Sequence, residues 1–385
     1  MRILIAHSRY LSGWTSGENS VVRDEERLLT EAGHDVTTWT PAPEPEGSRA
    51  RLGASAIWSR SAAAKVRDLI NDHEPEIVHL HNLFPMLSPA VLRAATDAGS
   101  KVVMTLHNYR QSCLPATFMR DGEVCELCLG RLPWRGVMYR CYRESLPGSA
   151  ALAGSLGLHR AIRSFERVSL FLPVSHFLKE KHIEAGLPPD RMYVKPNFCW
   201  PKPRRTGLGE YFLYAGRLSP EKDVATLLDG WRAIQEPLIV VGDGPERQKL
   251  EQSAPRNVEL RGSVPPEEVT RLLGAARALV FPSRWYEGAP RAIIEAYAAG
   301  VPVIGTAIGG IEELIDHGVS GLLVPPKNSA AWFDAVDQIM SPATAVRLAT
   351  GALDLWSKRY SPSKGLVDLE SAYRLALTGA ERRDE

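Results

Sequence analysis

Two doubly wound α/β domains, each on a parallel sheet and facing a shared cleft, are what this 385-residue sequence predicts. Three observations lead there. Short apolar runs alternate with stretches of helical period through most of the chain, the sequence form of stacked βαβ units. The alternation stops at Trp200-Pro201-Lys202-Pro203-Arg204-Arg205-Thr206-Gly207-Leu208-Gly209, a proline- and glycine-rich connector without apolar periodicity, and then restarts. The length also exceeds one ordinary core and suits two domains of ~100–200 residues each.

In the first domain, residues 1–200, Arg2–Ala6 reads as the opening strand. A helix follows from Glu18 to Ala32, closed by Gly33. Val36–Trp39 reads as the second strand from its β-branched and aromatic residues, and Pro41–Gly47 as a loop. Further strands are predicted at Glu76–Leu80, Lys101–Leu106 and Ser169–Val174, with a cysteine-rich insert at 109–148. The second domain, residues 201–360, has predicted strands at Tyr211–Ala215, Leu238–Val241, Val258–Leu260, Leu279–Phe281, Val303–Gly305 and Leu322–Val324. From Ala343 to Leu377 the pattern is two helices broken at Ser361-Pro362. Residues 361–385 are thus a last helix, expected to return to the first domain, and a solvated tail, Glu381–Glu385.

The bulk numbers narrow the function. An apolar fraction of 44% and a charged fraction of 24% are those of a soluble globular protein. A net charge of +1 argues against a nucleic-acid binder, which carries a strong basic excess on one domain. Met1-Arg2-Ile3-Leu4 runs straight into a strand and lacks the features of a secretory signal, so the expected location is cytoplasmic. Disulfides are rare there, leaving the five cysteines as thiols, metal ligands or catalysts.

In open parallel sheets, ligands bind beyond the carboxyl ends of the strands, where helix N-termini point. Strand-to-helix junctions therefore carry most of the functional information. After Tyr211–Ala215 comes Gly216-Arg217-Leu218-Ser219-Pro220-Glu221-Lys222. Ser219 suits an N-cap with Pro220 at the first helical position, which puts Lys222 in the opening turn. Gly216 lets backbone approach a ligand, Arg217 offers a planar fork to phosphate oxygens, and Lys222 adds a mobile charge. The alternative is a solvated helix start with surface cations. The second constellation runs from Phe281 through Glu287, Gly288 and Pro290 to Glu295, with a helix starting near Pro290. It offers two carboxylates at different depths, able to accept hydrogen bonds from vicinal hydroxyls, with loop N–H groups left for negative charge.

Taken in order, Gly216-Arg217-Leu-x-x-x-Lys222, Val241-Gly242-Asp243-Gly244-Pro245, Pro282-Ser283, Glu287-Gly-x-Pro-x-x-x-x-Glu295-Ala-x-Ala-x-Gly300-x-Pro302 and Gly309-Gly310-x-x-Glu-x-Ile-x-x-Gly-x-x-Gly321 resemble the donor domain of family-four retaining glycosyltransferases, exopolysaccharide (group 1) type, over residues 211–325. The resemblance implies a GT-B fold of two Rossmann-like domains, a nucleoside-diphosphate sugar donor (UDP- or GDP-linked) and retention of anomeric configuration. Arg217 and Lys222 would then bind the diphosphate, Glu287 the sugar hydroxyls and Glu295 the ribose hydroxyls, with Gly216 and Gly288 lining the donor site. Two cations and helix N-termini neutralise the leaving group, so no metal or cofactor is expected for catalysis and no protein general base is assigned.

The first domain resembles the same family less tightly. Gly13 and Gly17 bracket the first βα loop, where relatives carry paired glycines facing the phosphates. Glu18 departs from that pattern, leaving Gly17 as the donor-site candidate, or as plain turn chemistry. Thr105-Leu106-His107-Asn108 looks like the family's Thr-x-His-Asp segment, whose histidine contacts the donor sugar, so His107 joins the catalytic set. Asn108 is a second departure. His79 and His81 end another strand and read equally as pocket wall or structural histidines. Cys113, Cys125, Cys128 and Cys141 suit either a four-thiolate structural zinc site or four reduced thiols, and relatives carry a similar insert. Cys199 stands apart. Arg160, Arg163 and Arg167 are predicted on one helical face, and with Trp58, Arg60, Lys65 and Arg67 they suit an acidic acceptor, a peripheral membrane contact or plain solvent.

The expected reaction is sugar transfer to a hydroxyl of a glycan, lipid-linked glycan or small natural product, with domain closure assembling the site. The rivals are an epimerase or hydrolase of the same fold, and a non-catalytic sugar-nucleotide-binding scaffold that would lack a clamp residue.

Overall fold

The apolar runs become two parallel sheets. A computed structural model describes residues 1–9, 17–41 and 49–379; Gly13, the loop Ala42–Gly47 and the tail Glu381–Glu385 lie outside the described residues. The chain divides into two compact units. The first holds residues 1–118 and 125–196 together with the last helix from Leu366 on, and the second holds residues 119–124 and 197–365.

The first sheet contains β1 (Arg2–Ala6), β2 (Asp35–Trp39), β3 (Ile77–Leu80) and β4 (Lys101–Leu106). After a short antiparallel hairpin of β5 (Met119–Arg120) and β6 (Glu123–Val124), which counts with the second unit, it is completed by β7 (Leu170–Pro173). The strand order is β2-β1-β3-β4-β7, parallel throughout. Helices cover such a sheet on both faces, so its central strands read as continuous buried runs. All four residues of β3 are buried. The chain leaves β1 outward to β2 and then reverses to β3, so the switch point lies between β1 and β3.

The second sheet contains β8 (Tyr211–Ala215), β9 (Leu238–Val241), β10 (Val258–Gly262), β11 (Ala276–Phe281), β12 (Val303–Thr306) and β13 (Gly321–Val324), in the order β10-β9-β8-β11-β12-β13. Strand alternation splits its core in two. Leu213, Leu279 and Phe281 pack with Ile293, Tyr297 and Leu355, while Phe212, Tyr214 and Val280 pack with Trp231, Trp332 and Leu348. Here the switch point lies between β8 and β11. At the C-terminus, helix Pro342–Leu355 continues into a wider turn at Trp356–Tyr360, and a new helix, Pro362–Thr378, starts after Ser361. Within the first unit, Tyr373 of this last helix hydrogen-bonds His79 Nδ1 at 2.9 Å.

One sequence expectation is corrected. Arg160, Arg163 and Arg167 do not share a helical face. The helix Leu146–Ala161 ends before Arg163, which turns left-handed (φ +56°), and Arg167 lies in a separate short turn. Arg160 is bound to the carbonyls of Arg131 and Gln111, and Arg167 to Asp97. Arg163 pairs in turn with Glu166 at 3.5 Å, so each of the three cations has a partner of its own.

Candidate functional site

The loops after β8, β9, β11 and β12 lock together at the switch point of the second sheet. Gly242 (φ +139°) approaches the loop after β8 so closely that a Cβ there would sit 1.8 Å from the Gly216 carbonyl oxygen. Leu218 N–H donates to the Asp243 carbonyl at 2.9 Å, joining the same loops again. The buried Tyr214 hydroxyl donates to the Arg217 carbonyl at 2.8 Å and would lie 2.9 Å from a Cβ on residue 216, so Gly216 has a local packing reason of its own. Burial, then the nearby Glu287 carboxylate, push the Tyr214 phenol well above its usual range, so it stays a donor. Arg217 itself is exposed, and among the described residues its side chain has no ion pair.

Lys222 is not in the first turn of an α-helix, which corrects the sequence reading. Pro220–Lys222 is a single 3-10 turn, Asp223 is left-handed (φ +51°), and the α-helix begins at Val224. Ser219 donates its hydroxyl to Glu221 at 2.6 Å and caps no backbone N–H. The cause is the Asp223 carboxylate, which takes the Arg284 guanidinium and the Thr226 hydroxyl and so bends the chain before the helix. The bend brings the Lys222 ammonium onto Glu287 Oε1.

Glu287 is 6% exposed and its Oε1 also accepts the Trp285 indole N–H at 2.7 Å. The Lys222 nitrogen lies 5.3 Å from the centre of the Phe281 ring and 5.5 Å from that of Trp285, within cation–π range of both. A largely desolvated ammonium is thereby fixed by one carboxylate and two aromatic faces. Below it, Gly310 N–H donates to the Glu287 carbonyl at 2.8 Å, and a Cβ on Gly310 would come within 2.0 Å of the Gly288 oxygen. Glu295 is the fifth residue of the helix Arg291–Ala298, its carboxylate 3.3 Å from Arg291. The fold thus joins Lys222 to Glu287 and leaves Arg217 on the loop after β8 and Glu295 on the helix after β11. Sequence reasoning did not single out Trp285, Tyr214 or the Asp223–Arg284 pair; Trp285, two residues before Glu287, was the one with a visible signal.

In the first unit, Gly17 is exposed at the start of the helix Gly17–Glu31. The two departures from the family pattern touch each other. Asn108 Nδ2 donates to Glu18 Oε1 at 2.8 Å, while Asn108 Oδ1 accepts the Arg110 N–H at 3.1 Å, which fixes the amide orientation. Glu18, His81, Asn82, His107, Asn108 and Gln111 are among the residues lining one cavity.

Behind His107 stands a buried chain of polar groups. His107 Nε2 shares a hydrogen bond with His81 Nδ1 at 2.9 Å, and His81 Nε2 lies 3.4 Å from Glu25 Oε2. The other Glu25 oxygen holds the Lys195 ammonium, and both residues are buried. His79 sits beside them, bonded to Thr105 Oγ1 at 2.7 Å and to the Tyr373 hydroxyl. Burial pushes the His107 and His79 imidazoles well below their usual range. Burial pushes His7 down to about 4. Burial would raise Glu25, but Lys195 and His81 outweigh it and hold the carboxyl well below its usual range. Glu25 and Lys195 were not singled out from sequence. Glu25 did leave a trace, falling on the buried stripe Val21, Val22, Glu25, Leu28, Leu29.

Among the described residues, Glu25, His79 and His81 form the one group whose ligand atoms lie within 4.8 Å of one another, and no three of the sulfurs of Cys113, Cys125, Cys128 and Cys141 converge that closely. None of the five cysteines forms a disulfide. Cys113 Sγ instead accepts the Phe118 N–H at 3.3 Å, and burial pushes its thiol up to about 11. Cys199 is buried in the second core. Trp58 stacks on His159 at 5.2 Å, while Lys65 and Arg67 are exposed. No described helix is long and apolar enough to cross a membrane.

Comparison with known proteins matches residues 15–199 to the profile for Glycosyltransferase Family 4 and residues 209–341 to that for Glycosyl transferases group 1. The D-rhamnosyltransferase WbpZ of Pseudomonas aeruginosa is 34% identical over 359 residues, covering 87% of this chain and 86% of that protein. A GDP-mannose-dependent alpha-mannosyltransferase of Corynebacterium glutamicum is 40% identical over 344 residues, covering 84% and 76%. Similarity to the alpha-D-kanosaminyltransferase of Streptomyces kanamyceticus, 28% over 173 residues, takes in 42% of this chain and under half, 45%, of that protein. Among solved structures, sucrose-phosphate synthase of Thermosynechococcus elongatus superposes with a TM-score of 0.72 at 18% identity, over 99% of this chain and 100% of that one. The Anabaena protein HepE in complex with UDP-glucose gives 0.66 at 19%, over 97% and 100%. These likenesses make the fold GT-B.

Proposed function

The chain belongs to the family 4, group 1 glycosyltransferases, and on that premise we propose that it is a retaining, metal-independent enzyme transferring a hexosyl-type unit from a UDP- or GDP-sugar to a hydroxyl of a glycan, lipid-linked glycan or small natural product. The observation that carries this is the Lys222–Glu287 pair held between Phe281 and Trp285 at the β8/β11 switch point. Anionic ligands of doubly wound sheets bind at such a place. Sugar transfer builds negative charge on the departing diphosphate, and fixed cations there lower the barrier.

Lys222 keeps protons for phosphate oxygens while one serves Glu287, and the exposed Arg217 adds a bidentate fork. Glu287 Oε1 is taken by Lys222 and Trp285, so Oε2 remains to accept sugar hydroxyls. Glu295 is assigned to the ribose hydroxyls, Gly17, Gly216 and Gly288 to backbone contact with the donor, and His107 to the transferred sugar. Anabaena HepE holding UDP-glucose supports a nucleotide-sugar donor. The acceptor side is open to a peripheral membrane contact. The non-catalytic rival requires a missing clamp residue, and Arg217, Lys222, Glu287 and Glu295 are all present.

The test combines a thermal-shift panel of nucleoside diphosphates and their sugars with Lys222→Ala and Glu287→Ala assayed for transfer and donor hydrolysis. We expect stabilisation by one diphosphate class, and loss of turnover on either substitution in folded protein. Retained turnover in both variants overturns the site assignment; diphosphate binding without transfer or hydrolysis would favour the scaffold.

A further inference from the structure

We infer that Glu25, acting through His81, holds His107 as the Nε2–H tautomer, so that His107 Nδ1 meets the ligand as a hydrogen-bond acceptor and selects a hydroxyl. This deepens the function proposed above and rests on its assignment of His107 to the transferred sugar.

The argument is an accounting of protons along the chain of groups. Glu25 Oε2 and His81 Nε2 are both buried, neither has a hydrogen-bond partner, and they face each other at 3.4 Å; His79 Nδ1, 3.6 Å from the same oxygen, is already bonded to the Tyr373 hydroxyl. A carboxylate can only accept, so the pair is satisfied when His81 carries its proton on Nε2. Were Nε2 bare, an imidazole lone pair would face an anion in a buried site, at the cost of two orphaned groups. Glu25 is already neutralised on its other oxygen by Lys195, so a neutral His81 completes the local charge balance. The same ammonium opposes a divalent cation among Glu25, His79 and His81.

With its proton on Nε2, neutral His81 has only a lone pair at Nδ1. The bond of 2.9 Å to His107 is then made by the His107 Nε2–H, and His107 Nδ1 is left bare. His107 is half-buried, lines the cavity, and its Nδ1 has no protein partner among the described residues. A hydroxyl can donate to that nitrogen. A deprotonated phosphate or a carbonyl oxygen cannot, so Glu25 and His81 are positioning residues that write a donor requirement into the pocket.

Long-range ¹H–¹⁵N correlation on histidine-labelled full-length protein at pH 7.5 reads the tautomer directly, with His107→Gln used for assignment. We expect one His107 tautomer with a protonated Nε2 and an unprotonated Nδ1. A His107 protonated on Nδ1, or a mixture of tautomers, overturns the inference. His81→Gln can accept from His107 and donate to Glu25, so it should keep the tautomer. His81→Phe cannot, and should give a mixture, with kcat/KM down by about 10- to 100-fold and the affinity for UDP or GDP unchanged. A single Nε2–H tautomer surviving in His81→Phe also overturns it. The tautomer is read without substrate, so this test stands or falls separately from the reaction proposed above.

Discussion

Exchanging Asn108 for Asp should turn the Glu18–Asn108 contact from an attraction into a pH-dependent repulsion. In the native chain the amide donates to the carboxylate at 2.8 Å. Asn108→Asp removes a hydrogen bond to a charged group, a class contributing about 1.5–3 kcal/mol. It also sets two carboxylates against each other, and at ~4 Å with an effective dielectric near 20 two unit charges repel by about 4 kcal/mol. Protonation of one carboxyl caps that repulsion. Such a carboxyl has a folded pKa above its unfolded value of ~4, so its penalty grows as pH rises from there toward the folded value and is flat above it. Both side chains are half-buried, so we expect a loss of about 2–4 kcal/mol at pH 8 and distinctly less at pH 5. For a unit of this size that lowers Tm by on the order of 10 °C at pH 8. Glu18→Gln/Asn108→Asp restores one amide and one carboxylate with roles exchanged, and should recover most of the loss. Thermal unfolding of the three proteins from pH 5 to 8 decides it. A penalty of equal size at both pH values, or a double variant no better than the single, would refute the pairing.

Two further outcomes follow from the buried groups. Glu25→Gln or Lys195→Met alone strands a partner in the first core and should cost about 3–5 kcal/mol, while the two together should cost less than either; additive losses by urea unfolding would contradict the pair. Burial brings His7 and His182 from 6.5 down to about 4. Unfolded chain therefore binds protons first, and stability should fall as pH drops from 6.5 toward 4, by up to about 1.4 kcal/mol per pH unit for each histidine. A flat urea midpoint between pH 7 and 5 would show these imidazoles to be accessible.

Most of the strand pattern was legible because helix-covered parallel strands are apolar on both faces and bounded by turns. β1, β4, β8 and β9 fall at their predicted positions, while β11 starts three residues before the expected Leu279, at Ala276. Local patterning misled where a single side chain overrode it. Ser219-Pro220 has every mark of a helix start, yet Asp223 turns left-handed to hold Arg284 and delays the helix. Arg160, Arg163 and Arg167 fit one helical stripe until Arg163 breaks it.

Arg217, Lys222, Glu287, Glu295 and His107 are candidates that motif order and spacing mark only through the resemblance to family-four glycosyltransferases. Which of these groups meet was decided only by tertiary structure. The Lys222–Glu287 contact depends on β8 and β11 being neighbours at a strand-order reversal, a relation between residues 65 apart in sequence. Glu25, His81, Lys195 and His107 come from a helix, two strand ends and an extended segment beside β7, and no local pattern records that four such segments bury their polar groups together. Secondary structure is local and periodic, so sequence carries it; proton and charge partners are set by packing, which only the folded chain supplies.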